Sequence, residues 1–267
     1  MGVSLSVLAS GSRGNCAVLA SSRTRLLIDV GLSYRETLRR LRVHGIEPQS
    51  LQGILITHEH ADHIAGLHVA AKRLKIPVYI AEAAYSAWRA SFRDSAGNRV
   101  SAERVEFFQP GRHFQVGDIE VLPFTIPHDA VDPVGFTFTA EGTKVGYVTD
   151  LGYLPASVRQ HLRGCDGLMI ESNHDLEMLR VGPYPWMVKQ RVMSRVGHLS
   201  NDALAEFLAT DYDGGAAFLI LAHLSEQNNH PDIARMAAER ALEQRRNLWR
   251  NRILLATQDE GLPSVSL

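Results

Sequence analysis

Thr57-His58-Glu59-His60-Ala61-Asp62-His63 follows the apolar run Gly53-Ile54-Leu55-Ile56. The run is short and bounded, so residues 53–57 read as a buried strand. A helical pattern begins near Asp62 and covers 61–74, with Ile64, Leu67, Ala71 and Leu74 on one stripe. Ligands of open α/β sheets bind at the C-terminal ends of strands, which is where this cluster stands. Residues two apart on an extended segment point the same way, so His58 and His60 are expected to share one metal ion. Asp62 and His63, at the helix start, are expected to turn toward a second ion about 3.5–4 Å from the first. Imidazole and carboxylate donors suit two divalent transition-metal ions such as Zn, Mn or Fe. A polar surface turn is the plain alternative for a lone histidine. It does not account for three histidines and an aspartate within six residues.

Outward from this cluster, β-rich runs at 3–8, 17–20, 25–29 and 78–80 read as strands, and 33–44 reads as a helix. Strands alone follow at 105–108, 119–125, 134–139 and 144–149. Glu141-Gly142 offers a hairpin turn between the last two. The second half alternates again, with helices at 155–162, 201–210 and 231–247, strands at 167–171 and 217–221, and final strands at 254–256 and 265–267. No internal repeat or low-complexity linker interrupts the chain. Two mixed sheets with helices outside, a four-layer α/β sandwich forming a single domain over residues 1–267, accommodate this order.

Composition bounds the function. Of 267 residues, 45% are hydrophobic and 21% charged, which excludes a disordered chain. A formal net charge of -1 excludes a chain that is basic throughout, so any nucleic acid must be met by a local patch. Two cysteines, Cys16 and Cys165, cannot build a disulfide framework and point to a reducing, cytoplasmic setting. No apolar run approaches the ~18 residues of a membrane helix, and the N-terminus lacks the positive region of a signal peptide. Met1-Gly2-Val3-Ser4-Leu5-Ser6 matches the myristoylation pattern, but a first strand over 3–8 would bury that glycine.

His58-x-His60-x-Asp62-His63 resembles the signature of the metallo-β-lactamase superfamily, and that resemblance implies an αββα sandwich. It also implies partners for the motif. Asp29-Val30-Gly31 is similar to the superfamily's early Asp-x-Gly, whose aspartate supports the metal loop. His128, after the 119–125 run, would complete metal one with His58 and His60. His223, after 217–221, would join Asp62 and His63 on metal two, and Asp150, after 144–149, would bridge. A hydroxide between the ions would be the nucleophile, available near neutral pH. Lactamases proper commonly carry cysteine at the position of Asp150. Here Cys165 lies fifteen residues beyond, which argues against lactam hydrolysis. His60 likewise argues against flavodiiron reductases, which place glutamate there.

Further segments narrow the resemblance. Gly197-His198-Leu199-Ser200 resembles the segment of tRNase Z-like and cyclic-phosphodiesterase members whose histidine assists the leaving group. With Ser10-Gly11-Ser12-Arg13-Gly14-Asn15, Glu171-Ser172-Asn173-His174-Asp175 and Ala222-His223-Leu224-Ser225, it resembles the WalJ/YycJ-like bacterial family of DNA exonuclease-type enzymes. This implies catalytic roles for Asp62 and His198 and a nucleic-acid substrate, DNA ahead of RNA. Ser10, Ser12 and Asn15 on the glycine-rich turn, His174, and Lys189 and Arg191 on a stretch with Arg180, Tyr184, Trp186 and Arg195 are candidate substrate contacts. Each has a plain alternative: a tight hairpin, a helix cap, a solvated charge or core packing. The basic run 234–252, six arginines against two glutamates, reads as a solvated helix face. The competing functions are a small-molecule hydrolase of a cyclic phosphodiester, thioester or lactone, and a metal-holding scaffold without catalysis. Protein partners are not specified by these residues.

Overall fold

The computed structural model describes residues 2–243, 245 and 252–267. The first half of the chain runs β1 (Ser4–Ala9), β2 (Cys16–Ala20), β3 (Arg25–Ile28), α1 (Tyr34–Val43), β4 (Gly53–Leu55), α2 (Ala61–Ile64), α3 (Leu67–Leu74), β5 (Val78–Ala81), α4 (Glu82–Ser91) and β6 (Val105–Phe108). The second half runs β7 (Phe114–Val116), β8 (Ile119–Thr125), β9 (Val134–Ala140), β10 (Thr143–Val148), α5 (Ala156–Leu162), β11 (Gly167–Glu171), α6 (Leu176–Val181), α7 (Trp186–Val192), α8 (Asn201–Thr210), β12 (Phe218–Ala222), α9 (Pro231–Glu243), β13 (Arg252–Leu255) and β14 (Leu262–Ser266).

The strands form two seven-stranded mixed sheets, in the orders β14-β1-β2-β3-β4-β5-β6 and β13-β12-β11-β10-β9-β8-β7. In each, an antiparallel half adjoins a parallel half. β12 shows why its sequence, FLILA, is apolar throughout. Alternate residues point to opposite faces. Phe218, Ile220 and Ala222 therefore enter the core shared by the two sheets, and Leu219 and Leu221 enter the one under α5, α8 and α9. A strand buried on both faces cannot alternate with polar residues. The expected four-layer arrangement is thus present. Glu141 and Gly142 both take positive φ, 52° and 76°, and close the expected β9–β10 hairpin.

Several boundaries differ from expectation. The single helix expected over 61–74 is two, α2 and α3, parted at Ala65-Gly66. The loop after β3 crosses here so closely that a Cβ on Gly66 would lie 2.1 Å from the Leu32 carbonyl oxygen. The apolar run 53–57 supplies only three ladder residues, because the Thr57 N–H is captured by Asp29 Oδ1 at 2.9 Å. Helices α4, α6 and α7 lie where the sequence showed no clear period. The helix expected to 247 is described to Glu243, and residues 244 and 246–251, with two of the six arginines of the basic run, lie outside the described residues. Both cysteines are buried and unbridged. Among the described residues, no helix is long and apolar enough to cross a membrane.

Candidate metal centre

The site is built at strand ends. Asp29 follows β3, the His58–His63 loop follows β4, His128 follows β8, Asp150 follows β10, and His223 follows β12, while Glu171 ends β11. Three of these residues take left-handed backbone: Asp29 at φ 58°, Asp150 at 63° and His223 at 54°. That conformation is costly for a side chain with a Cβ, and such strain collects at functional sites. It turns each strand sharply at its last residue. Gly31 lets the Asp29 loop pass against the motif, since a Cβ there would meet the Asp62 carbonyl oxygen at 1.7 Å.

Among the described residues three donor groups result, and within each the donor atoms lie within 4.8 Å of one another. His58, His60 and His128 form the first, and Asp62, His63, Asp150 and His223 the second; the third, Asp150, Glu171, His198 and His223, shares Asp150 and His223 with the second. His128 Nε2 stands 3.2 Å from His60 Nδ1. His63 Nε2 stands 3.3 Å from Asp150 Oδ2, and His223 Nε2 3.5 Å from Asp62 Oδ2.

The far side of four of the five rings, all but His60, is held by an acceptor. His63 Nδ1–H donates to Asp29 Oδ2 at 2.8 Å, and His128 Nδ1–H to the Gly197 carbonyl at 3.2 Å. His223 Nδ1–H donates to Glu171 Oε1 at 3.0 Å. His58 Nδ1 is linked to Asp29 through Thr57 Oγ1, 3.0 Å from the ring and 2.9 Å from the carboxylate. A carboxylate or carbonyl only accepts, so each contact leaves the Nε2 lone pair facing inward. His58 Nε2, His223 Nε2 and Asp150 Oδ2 are buried and make no hydrogen bond. Orphaned buried acceptors of this kind carry a desolvation penalty of about 1–3 kcal/mol each unless a cation or donor meets them. Converging neutral nitrogens and carboxylates with unpaired lone pairs fit divalent metal ions.

Without a cation, the carboxylates of the second donor group draw protons onto its rings, the positive charge a metal ion would replace. Burial opposes the charge on His63 and His223, yet Asp150 with its neighbouring carboxylates outweighs it and raises both. Burial, joined by the neighbouring rings, lowers His58 and His128. Burial also opposes the charge on Asp150, but His223, His63 and His58 hold it well below the usual carboxylate range.

Glu171 is the functional residue that sequence reasoning missed. It is fully buried, and one oxygen accepts from both His223 Nδ1 and His198 Nδ1, at 3.0 and 2.8 Å. The other accepts the Leu151 and Leu199 backbone N–H groups at 2.9 and 3.1 Å. Burial pushes against its charge, but the two histidines bring it down to about 2. The available signal was a charged residue closing an apolar strand; Asp150 also stands after one, but it was the superfamily resemblance that pointed to it. Glu171→Gln keeps the shape and removes the charge that orients both rings. It is expected to weaken metal binding 10–100-fold, as loss of an outer partner typically does. Titration of the metal-free protein with Zn²⁺ or Mn²⁺ measures it, and unchanged affinity would contradict the role.

His198 stands beside the second donor group, with Nδ1 held by Glu171 and its side chain 20% exposed. Burial disfavours its charge, but Glu171 overcomes this and raises it. It does not cap α8, although it stands two residues before that helix's cap. Ser200 is the cap, its Oγ accepting from Ala203 N–H.

The candidate substrate contacts fare differently. Ser10 is buried and accepts the His223 N–H at 2.8 Å, and Asn15 is buried with Nδ2 3.0 Å from His63 Nε2. Both support the donor groups and are not free to meet a phosphate. Ser12 is exposed at the turn. His174 is buried, and that burial lowers it to about 4. Lys189 is a correction: it is buried, and Nζ donates to the Arg180 carbonyl at 2.7 Å, so it faces the protein and not a ligand. Arg191 is exposed and bound to Asp129 at 2.5 Å, and Asp129 in turn lies 3.5 Å from His128 Nε2.

Residues 24–224 match the Beta-lactamase superfamily domain. The chain is 38% identical to Exodeoxyribonuclease YycJ of Bacillus anthracis over 245 residues, 92% of this chain and 91% of that protein. It is 36% identical to Exodeoxyribonuclease WalJ of Streptococcus pneumoniae serotype 2 (strain D39), over 91% and 90% of the two chains. The metallo-beta-lactamase fold protein YhfI from Bacillus subtilis superposes with a TM-score of 0.70 at 17% identity, covering 97% of this chain and 98% of that one, a likeness of fold.

Proposed function

This chain belongs to the metallo-β-lactamase superfamily, and from that premise we propose that it is a two-metal phosphodiesterase that shortens DNA from its ends. That it is a metal-dependent hydrolase follows from the family and the donor groups. The observation that carries the finer reading is His198, whose Nδ1 is taken up by Glu171 beside the seven donors of the first two groups. An alkoxide leaving from phosphorus needs a proton, whereas a thiolate leaving from a thioester does not, so a dedicated proton donor favours the phosphodiester. The exodeoxyribonuclease names of the two relatives support DNA as the substrate.

His58, His60 and His128 would hold one ion, Asp62, His63 and His223 the other, and Asp150 both. When bound, divalent ions of the Zn, Mn or Fe kind supply Lewis acidity toward phosphoryl oxygen and acidify water. Asp62 has 24% of its side chain exposed, against 2% for Asp150, and would be the carboxylate that accepts a proton from water. His198 would donate its outward Nε2 proton to the departing sugar oxygen while Glu171 balances the imidazolium. Asp29, Thr57, Asn15 and Ser10 position the donors. The reaction is assigned to the cytoplasm and to residues 1–267 acting as one domain.

Defined duplexes blocked at the 5′ or the 3′ end, with matched RNA and a thioester beside them, test the reading. Stepwise release of nucleotides from DNA is expected, and thioester cleavage without DNA cleavage would overturn it. The metal count is a second check. Elemental analysis is expected to find close to two transition-metal ions per chain, with His128→Ala and His223→Ala each weakening a different ion. Full occupancy in both variants would refute the assignment.

A further inference from the structure

The surface beside the metal centre is unusually apolar. Among the described residues, seven of the thirteen large hydrophobic side chains that stand exposed fall between 176 and 196, on α6, α7 and the loop leading to His198. Trp186 is 61% exposed and Met187 75%. Exposed apolar side chains concentrated on one segment in this way point to a binding surface.

The patch is fastened to the centre. The Val196 carbonyl accepts from Asp129 N–H at 3.0 Å, Arg191 holds Asp129, and the Gly197 carbonyl accepts from His128. Lys189 ties α7 back to α6 through the Arg180 carbonyl. From Met178 to His198 the chain carries Arg180, Lys189, Arg191 and Arg195 and neither Asp nor Glu. The Arg195 guanidinium lies over the Tyr153 ring at 4.2 Å and has no carboxylate partner among the described residues. On α7, Trp186, Met187, Gln190 and Arg191 follow at spacings that share one helix face, and all four are exposed. With a rise of 1.5 Å per residue, Trp186 stands about 7.5 Å along the axis from Arg191, the end of the stripe nearest the metal centre.

We propose that this stripe seats one unpaired strand of DNA. Its bases stack on Trp186 and Met187, and its phosphates run past Gln190 and Arg195 toward the centre. The proposal rests on the nuclease reading and specifies which form of the substrate the site accepts: an end whose last nucleotides are unpaired. A single strand offers both flat apolar faces and negative charge, which is what the patch lacks. A second copy of the chain is the weaker occupant. A two-fold contact would set the same arginines against each other with no carboxylate in the segment to answer them.

The test uses full-length, metal-loaded protein. In steady-state cleavage of a single-stranded oligonucleotide, Trp186→Ala is expected to raise KM roughly five- to a hundredfold, the range for loss of one stacked base. Its kcat should stay within about twofold and its melting temperature unchanged, and Trp186→Phe should restore most of the loss. A non-cleavable phosphorothioate oligothymidylate should quench tryptophan emission in the native protein and not in Trp186→Phe. Native KM in Trp186→Ala overturns the seat, as does dissociation of a dimer by Trp186→Ala with DNA binding unaltered. If the native protein cleaves no DNA, the nuclease reading falls. The quenching experiment, which needs no turnover, then decides the seat on its own.

Discussion

Asp150→Ala is expected to bring DNA cleavage down to background and to abolish the stabilisation that metal confers. Asp150 is 2% exposed, and its Oδ2 is an unpaired acceptor in the second donor group. Its charge is the largest favourable influence on positive charge at both His63 and His223, so its loss removes the anion that donors on two strands share. An ion at about 100 times its Kd adds about 2.7 kcal/mol to the folded state. At ~2–4 °C per kcal/mol for a chain approaching this size, that is roughly 5–11 °C of melting temperature per ion. The native protein should show that rise with added metal and the variant almost none. Asp150 also sits at φ 63°, where alanine is strained and asparagine is tolerated. Asp150→Asn therefore separates the charge from the backbone: it should keep most of the metal-free stability while losing activity as fully as the alanine. Native turnover in Asp150→Asn would defeat the assignment.

His198→Ala should lose about 10²–10⁴-fold in DNA cleavage, the usual contribution of a general acid. Its effect on bis(p-nitrophenyl) phosphate should be small, because nitrophenolate departs without a proton. Metal content should be unchanged, since His223 and the two backbone N–H groups still hold Glu171. The start of α8 should not fray, because Ser200 supplies its cap. Parallel kinetics on the two substrates with metal analysis of the same preparations distinguish the outcomes. Equal damage to both substrates, or loss of an ion, would place His198 among the metal donors instead.

Much of the centre was legible because its residues stand where apolar strands stop. A histidine or aspartate directly after a run such as Phe218–Ala222 is conspicuous, and His58, His60, Asp62, His63, Asp150 and His223 all carry that mark. Glu171 carries it as well but was passed over, since a terminal carboxylate on a strand ordinarily meets water. Only the parallel pairing of β11 with β10 and β12 encloses it and sets it against two histidines. Ser10 and Asn15 misled for the same reason. A glycine-rich turn with free hydroxyl and amide groups resembles an anion cradle until the fold closes it on His223 and His63.

The sequence by itself pointed to the two-sheet sandwich, through the order and period of its apolar runs, and to His58, His60, Asp62 and His63, through their density after one strand, while His128, Asp150 and His223 rest on the resemblance to the superfamily. Those features are local: a side-chain period of two and a donor beside a strand terminus need no knowledge of distant residues. What only the tertiary structure decided was orientation. Lys189 and Arg191 are two residues apart on one seven-residue helix, yet one is buried against the Arg180 carbonyl and the other stands exposed on Asp129. A helix that short has too few residues to define a solvent face by its own pattern. Its packing against the neighbouring chain settles which cation faces outward, and with it which side chains stand free beside the metal centre.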